Sequence, residues 1–142
     1  MKQVEKQGKK NEIGAIGEKI AENYLKRNGF EILETNYLKK WGEIDIISRE
    51  TRNSKEIIHF VEVKTVSYET KKDLERAVSY GTWKPEDNVH YKKLQRMVRT
   101  LETWIAENNK DCVEWQIDVA AVRVVAREKY ATIKFLDNVI VE

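Results

Sequence analysis

Two short apolar segments between residues 42 and 64 carry charged residues where a buried strand normally has none. The first contains Asp45 among three isoleucines, and the second runs from His59 to Lys64 and includes Glu62. Residues two apart on a strand share a face, so Glu62 and Lys64 point to the same side of a sheet. A carboxylate in apolar surroundings is costly unless it is paired or binds a metal. The chain is therefore restricted to folds that bring these charged groups together.

The register of the two predicted strands brings the two acids to one point. Residues 52–55 have the composition of a turn. A four-residue hairpin loop there places Asp45 directly opposite Glu62, with Cβ atoms roughly 4.5–5.5 Å apart. That separation suits two carboxylates that share one hard cation such as Mg²⁺, with the Lys64 ammonium one pleat further along.

A Glu-x-Lys pair is also common on ordinary amphipathic strands, where it lies at the solvated surface. The opposite face of this strand argues against that interpretation, because it is largely apolar as well and consists of Ile57, His59, Val61 and Val63. A strand that is apolar on both faces is typical of the interior of a sheet that is covered on both sides.

The order and spacing of several motifs extend this pattern over residues 12–125. The motifs are Gly14-x-x-Gly17-Glu18-x-x-Ala21-x-x-Tyr24-Leu25, Gly42-Glu43-Ile44-Asp45, Phe60-Val61-Glu62-Val63-Lys64, Val89-x-x-x-Lys93 and Ile117-Asp118-Val119-Ala120-Ala121-Val122. Together they resemble the YraN-like family of predicted bacterial endonucleases. That family belongs to the PD-(D/E)XK nuclease superfamily and is distantly similar to archaeal Holliday-junction resolvases.

The resemblance implies a metal-dependent endonuclease that acts on DNA, including branched or junction DNA. Asp45 and Glu62 would bind Mg²⁺ or Mn²⁺, and the carbonyl of Val63 would be a further ligand. Lys64 would orient or deprotonate the attacking water, or stabilise charge in the transition state. Glu18 would assist from the first helix, although a glutamate beside an apolar stripe is often only solvated.

Two stretches depart from the family pattern. Thr65 stands where a basic residue is often expected, and the connection from Ser67 to Asn88 is longer than usual. We expect both departures to affect contacts with the substrate more than the catalytic chemistry.

Basic residues outside the strands form two further candidate contacts with nucleic acid. On the predicted helix 87–108, Lys92, Lys93, Arg96 and Arg99 lie off the apolar stripe, as either a phosphate-binding surface or a solvated face. In the preceding loop, Trp83 and Lys84 could stack on a base and meet a phosphate. Alternatively, Trp83 could pack on the domain or on a second subunit of a homodimer.

Composition bounds the remaining possibilities. The chain has 142 residues, a net charge of only +2 and one cysteine, and we expect a single domain over residues 12–142. Residues 1–11 form a basic arm that we expect to be mobile, either binding phosphate or aiding solubility. No apolar run reaches the roughly 20 residues of a membrane helix. We therefore expect a cytoplasmic protein with no membrane segment.

The predicted order of elements is α-β-β-β-α-β-β. The elements are a helix over 12–28, strands over 30–36, 42–47 and 57–64, a helix over 87–108, and strands over 113–125 and 130–136, with a further short helix at 71–78. This pattern predicts an α/β (α+β) fold with a restriction-endonuclease-like mixed β-sheet and flanking helices. We interpret Asp118 as a structural acid paired with a helix lysine, and His59 as a packing or surface residue.

Three functions remain open at this point. The first is the metal-dependent endonuclease. The second is a non-catalytic nucleic-acid-binding module that works through its basic residues, with the carboxylates a relic. The third is a protein-interaction domain that dimerises through the Trp83 loop.

Overall fold

A computed structural model describes the backbone of residues 2–81 and 91–139, and the side chains of residues 12–81 and 92–139. The helices are α1 (Lys2–Arg27), α2 (Lys71–Ser79) and α3 (Tyr91–Glu107), and the strands are β1 (Glu31–Lys39), β2 (Gly42–Arg52), β3 (Lys55–Ser67), β4 (Glu114–Val125) and β5 (Tyr130–Leu136). One turn of 3₁₀ helix, Ala126–Glu128, joins β4 to β5. Trp83 and Lys84 lie outside the described residues.

The five strands form one mixed sheet in the order β1-β2-β3-β4-β5. All neighbouring strands are antiparallel except β3 and β4, which are parallel. A parallel pair needs a crossover, and α2 and α3 lie in the connection between these two strands. The predicted meander, crossover and further pairing are confirmed, and the fold is consistent with a restriction-endonuclease-like fold.

Helices cover both faces of the sheet and define two cores. On one face, α3 packs over Ile44, Ile58 and Phe60. On the other face, α1 packs over β3 and β4 through Ala21 and Leu25. As a result, every residue of β3 from Ile57 to Val63 is buried, including Glu62. The prediction that this strand is buried on both sides is confirmed.

The bounds of several elements differ from the sequence-based predictions. Helix α1 begins at Lys2, about ten residues before the predicted start, because the polar residues there do not interrupt helical backbone. Whether residues 1–11 are mobile stays a prediction. The sequence predicts Leu74, Ala77 and Val78 as the buried side of α2; in the structure Leu74 is buried, Ala77 is partly buried and Val78 is 51% exposed. The start of the predicted helix at 87 lies outside the described residues.

The apolar stripe of α3 is wider than predicted. The predicted stripe consists of Tyr91, Leu94, Val98, Leu101 and Ile105. Leu94 and Leu101 are buried as expected, and Met97 and Trp104, which the prediction left out, are also in the core. The Trp104 indole is accommodated because its Nε1–H donates a 2.9 Å hydrogen bond to Glu34 Oε2.

Two glycines allow helices to approach the sheet closely. A Cβ on Gly17 would lie 1.8 Å from Thr65 Oγ1, and a Cβ on Gly42 would lie 2.5 Å from Thr100 Oγ1. Gly17 therefore sets α1 directly against β3, and Gly42 sets the β1–β2 turn against α3. Thr65 lies under α1, so its difference from the family pattern falls on the side of the sheet away from α3.

Among the helices of the described residues, none is long and apolar enough to cross a membrane.

Candidate metal and nucleic-acid site

The β2–β3 hairpin brings Asp45 and Glu62 to the same position along the two strands. Pairing runs from Arg52–Lys55 to Ile46–Val61, and the next position in that register is Asp45 facing Glu62. The predicted register is therefore confirmed. The loop is shorter than predicted, because residues 53 and 54 alone make the turn.

The strand pairing ends where the two acids meet. The Val63 N–H donates a 2.8 Å hydrogen bond to Asp45 Oδ2, so a side chain takes the place of a backbone acceptor there. Strand alternation is also interrupted, because Ile44 and Ile47, three positions apart, belong to the same core cluster. Opposite this point, Asn36 of β1 has a φ of 52°. The irregular backbone separates Asp45 from the regular ladder and leaves its carboxylate at the open end of the hairpin.

The two acids are shielded from solvent to different degrees, and they repel each other. Glu62 is only 2% exposed, and Asp45 is partly buried. The pKa of Asp45 is raised to about 8, mainly by desolvation and further by the negative charge of Glu62, while the hydrogen bond from the Val63 N–H lowers it in part. A carboxylate pair in this state favours a proton or a cation between its members, which is the property expected of a metal-binding pair.

Two lysines contact the same oxygen of Glu62 from different elements. Lys93 of α3 forms an ion pair with Glu62 Oε1, and the Lys64 ammonium lies 3.7 Å from that oxygen. Burial lowers the pKa of Lys64, and the nearby charge of Lys93 lowers it further. Burial alone would lower the pKa of Lys93 as well, but the attraction of Glu62 reverses this and raises it.

Glu18 approaches the pair from α1. Burial raises the pKa of Glu18, the Asn36 side chain opposes this through a hydrogen bond, and the charges of Glu43, Glu22 and Glu62 raise it again. Glu18 is thus within electrostatic range of the site, in agreement with its expected place. Whether it assists a metal or a water stays a prediction, as does the role of the Val63 carbonyl.

A cleft of about 520 Å³ opens over the acid pair, between the β1–β2 turn and α3. Asp45 and Glu62 line one part of it, and Lys40, Trp41 and Arg96 line another. The Arg99 guanidinium lies 4.7 Å from the centre of the Trp41 ring, which holds the turn against the helix.

The sequence predicts residues 39–42 only as a turn, a prediction that leaves out their contribution to this cleft. The sequence signal that could have indicated this contribution is a pair of lysines directly before a tryptophan.

The four basic residues predicted on α3 lie around this cleft but do not have equivalent positions. Lys93 contacts Glu62, Arg96 lines the cleft, and Arg99 covers Trp41. Lys92 is exposed and, with Arg96 and Arg99, lines a shallow depression beside the cleft. A basic wall next to an acid pair has the charge distribution that a phosphodiester backbone and a bridging cation require.

Among the residues whose side chains are described, one other group of possible metal ligands lies close together. Hydrogen bonds explain why these side chains are near one another. His59, Asp118 and Asp137 place ligand atoms within 4.8 Å of one another. His59 Nδ1 lies 2.6 Å from Asp118 Oδ2, which leaves no room for a metal between them. Asp118 Oδ1 accepts hydrogen bonds from the Gln116 amide and from the Asn138 N–H.

The partner predicted for Asp118 was therefore wrong. Asp118 is structural, but it pairs with His59 of the neighbouring strand and not with a helix lysine. Parallel pairing of β3 with β4 sets Asp118 beside Val61, and His59 lies two residues from Val61 on the same face of β3. Burial alone would raise the pKa of Asp118, but the hydrogen bonds from His59, Asn138 and Gln116 hold it below its ordinary value.

Comparison with known proteins places the chain among bacterial relatives whose names state no activity. A model of the uncharacterised protein family UPF0102 matches residues 17–122. A UPF0102 protein of Alkaliphilus metalliredigens is 36% identical over 126 residues, which cover 89% of this chain and 95% of the relative. UPF0102 proteins of Caldanaerobacter subterraneus (35% identity, 80% of each chain) and Campylobacter jejuni (34%, 89% of this chain and 91% of the relative) are also similar.

Proposed function

The chain belongs to the uncharacterised protein family UPF0102, and we propose that it is a metal-dependent endonuclease that hydrolyses phosphodiester bonds in DNA. The observation that carries the proposal is the meeting of Asp45, Glu62 and Lys64 at the open end of the β2–β3 hairpin. Two carboxylates withdrawn from solvent beside a lysine, under a basic cleft, match the requirements of phosphodiester hydrolysis better than those of a structural ion pair.

The donor set of the site fits a hard divalent cation. Asp45 and Glu62 would hold Mg²⁺ or Mn²⁺, whose positive charge would offset the desolvation and the repulsion by Glu62 that now raise the pKa of Asp45. The cation would supply Lewis-acid polarisation of the scissile phosphate and a water of lowered pKa. The Val63 N–H keeps Asp45 oriented through the hydrogen bond to Oδ2.

Lys64 is the residue best placed to handle the attacking water. It lies next to Glu62 on the same face of β3, and its lowered pKa makes its amine easier to deprotonate than that of an exposed lysine. It can therefore hold a water by hydrogen bonding and take part in its deprotonation. Lys93, Arg96 and Lys40 on the cleft walls would hold the phosphate backbone, because such contacts provide charge complementarity without selecting a sequence.

A cleavage panel tests this function. Purified protein is incubated with duplex, single-stranded, flapped and branched DNA and with RNA, in Mg²⁺, in Mn²⁺ and in chelator. We expect metal-dependent cleavage of at least one DNA substrate, and a loss of roughly 100-fold or more in Lys64→Ala. Lys55→Ala is the matched control, because Lys55 is an exposed lysine at the other end of β3. Activity that persists in chelator would exclude a metal-dependent endonuclease, and equal activity in both variants would exclude the proposed role of Lys64.

A second candidate is a non-catalytic nucleic-acid-binding module. It is favoured by the ion pair between Lys93 and Glu62, which supplies a positive charge to the acids without any metal. Calorimetric titration separates the two functions. The binding module predicts salt-dependent DNA binding and no heat of Mn²⁺ binding that depends on Asp45. The endonuclease predicts such a heat, and its loss in Asp45→Asn.

A further inference from the structure

The sheet carries a second row of positive charge on the same face as the acid pair, two strands away. Lys64 of β3 is opposite Ala121 of β4, and Ala121 is opposite Lys134 of β5. Directly opposed residues in neighbouring strands point to the same side of a sheet. Strands are spaced by about 4.8 Å, so the backbone of Lys134 lies about 10 Å from that of Lys64.

The next row along the strands continues this positive surface. Val66, Arg123 and Thr132 are opposed in the same way, so Arg123 also lies on the face that carries Glu62 and Lys64. The packing of the other face supports this assignment, because Val122 and Ile133, on the alternate positions, belong to the core under α1.

Arg123, Thr132 and Lys134 line a groove of about 420 Å³. Its floor includes Ala121 and Arg123, one wall comes from α2 with Leu74 and Val78, and the other comes from β5 with Thr132 and Lys134. Ala121 is the residue between Lys64 and Lys134, and its small side chain places no bulk between the acid pair and the groove.

Two features of the groove indicate what it binds. Arg123 Nε is buried and has no hydrogen-bond partner among the described residues, so this N–H needs an acceptor that the described part of the chain does not provide. Val78, 51% exposed on the α2 wall, offers apolar surface beside the guanidinium. A guanidinium next to apolar surface suits an anion on a partly apolar carrier, as in a sugar-phosphate chain. Glu75 also lines the α2 wall, and its negative charge would repel a phosphate there, so the β5 side of the groove suits phosphates better.

We propose that the groove between α2 and β5 is a second contact site for the nucleic-acid strand, with Arg123 and Lys134 binding phosphates beyond the cleavage point. The proposal rests on the proposed function, because the acid pair defines where the strand is cut. The strand would run from the cleft beside α3, over Lys64 and Ala121, to Lys134. The separation of about 10 Å corresponds to roughly one to three nucleotides along a strand.

Fluorescence anisotropy with labelled DNA in chelator tests the groove without any cleavage. The variants are Lys134→Ala, on the exposed surface, and Arg123→Met, which keeps an unbranched apolar stem and removes the charged guanidinium. The control is Lys26→Ala, because Lys26 is an exposed lysine of α1, on the opposite side of the sheet. We expect both groove variants to bind several-fold more weakly, and each to reduce the salt slope of binding by about one unit, with Lys26→Ala unchanged.

The outcomes separate this proposal from the proposed function. If the wild type binds DNA and the groove variants keep its affinity and salt slope, the groove is excluded and the endonuclease is unaffected. If the groove variants lose affinity but the wild type cleaves nothing with either metal, the groove stands and the endonuclease fails. If the wild type binds no nucleic acid, both fail. The melting temperature of each variant checks its folding, and Lys134→Ala, an exposed substitution, decides the test if Arg123→Met does not fold.

Discussion

Replacing Asp45 by asparagine should stabilise the metal-free protein at neutral pH. The pKa of Asp45 rises from its ordinary value of 3.8 to about 8 in the folded chain, because the carboxylate is desolvated and faces Glu62. At pH 7 the destabilisation is set by the interval between pH 3.8 and pH 7, which is about 3 pH units. At about 1.4 kcal/mol per unit, Asp45 lowers the free energy of unfolding by roughly 4 kcal/mol. Asparagine does not titrate and therefore avoids this penalty.

The substitution also has a cost. The side-chain oxygen of the introduced asparagine can still accept the Val63 N–H. At pH 7, however, the wild-type carboxyl is mostly protonated and can donate its proton to Glu62, and the asparagine amide is a weaker donor by about 1–2 kcal/mol. We therefore expect a net gain of about 2 kcal/mol in the free energy of unfolding, which in a domain of this size raises Tm by roughly 5 °C.

The pH dependence of this effect has a definite sign. The folded state binds more protons than the unfolded state between pH 3.8 and about 8, so the stability of the wild type falls as the pH rises through that range. Asp45→Asn lacks this decrease. The difference between the two proteins should be small near pH 4, grow up to about pH 8 and stay constant above it.

Urea unfolding at about pH 5, 7 and 9, in chelator and in Mn²⁺, measures these quantities. Mn²⁺ at about 100 times its Kd should stabilise the wild type by about 2.7 kcal/mol and leave Asp45→Asn unchanged. Glu102→Gln, which removes an exposed acid of α3, is the control for a general charge effect. The reasoning fails if Asp45→Asn is less stable than the wild type at every pH, or if Mn²⁺ stabilises both proteins equally.

Three further predictions concern contacts that the hairpin makes with other elements. Lys93→Ala should bind Mn²⁺ more tightly in calorimetry, because it frees Glu62, and should reduce the salt slope of DNA binding by about one unit; unchanged values in both assays would contradict this. Gly17→Ala should lower Tm, because its Cβ has no space, whereas Gly14→Ala, with nothing within 4 Å, should not. Burial alone would lower the pKa of His59, but its acidic neighbours raise it. The stabilisation from charged His59 should therefore be present below about pH 6.5 and be lost as the pH rises through the raised pKa, and pH-dependent unfolding of His59→Gln should lack that loss.

The predictions that the structure confirms rest on local rules of chain geometry. Side chains alternate along a strand, so the spacing of Glu62 and Lys64 fixed their shared face. Asp45 and Glu62 lie opposite each other as predicted, although the predicted loop was too long. The loop is shorter by one residue on each side, and such a symmetric change keeps the same residues opposite each other. Asn53 and Ser54 have φ values of 52° and 66°, so they form the two-residue turn that suits strand twist, and Arg52 and Lys55 become a further pair.

Which residues form the site depends on contacts between elements that are far apart in the sequence. Lys93 reaches Glu62 only because α3 packs over β3, and Trp41 enters the cleft only because Gly42 lets the β1–β2 turn dock on that helix. No periodicity within one segment encodes such a distance, since it depends on how several elements pack at once.

The register between strands that are distant in the sequence determined which side chains of β3, β4 and β5 lie opposite each other. Asp118 faces His59 because β3 and β4 are parallel, and Lys134 shares a row with Lys64 because β5 then pairs with β4. A parallel crossover has no turn whose chemistry fixes its register. The sequence by itself thus determined which residues lie on each face of a hairpin, and the tertiary structure determined which charges of distant strands and helices meet across the sheet.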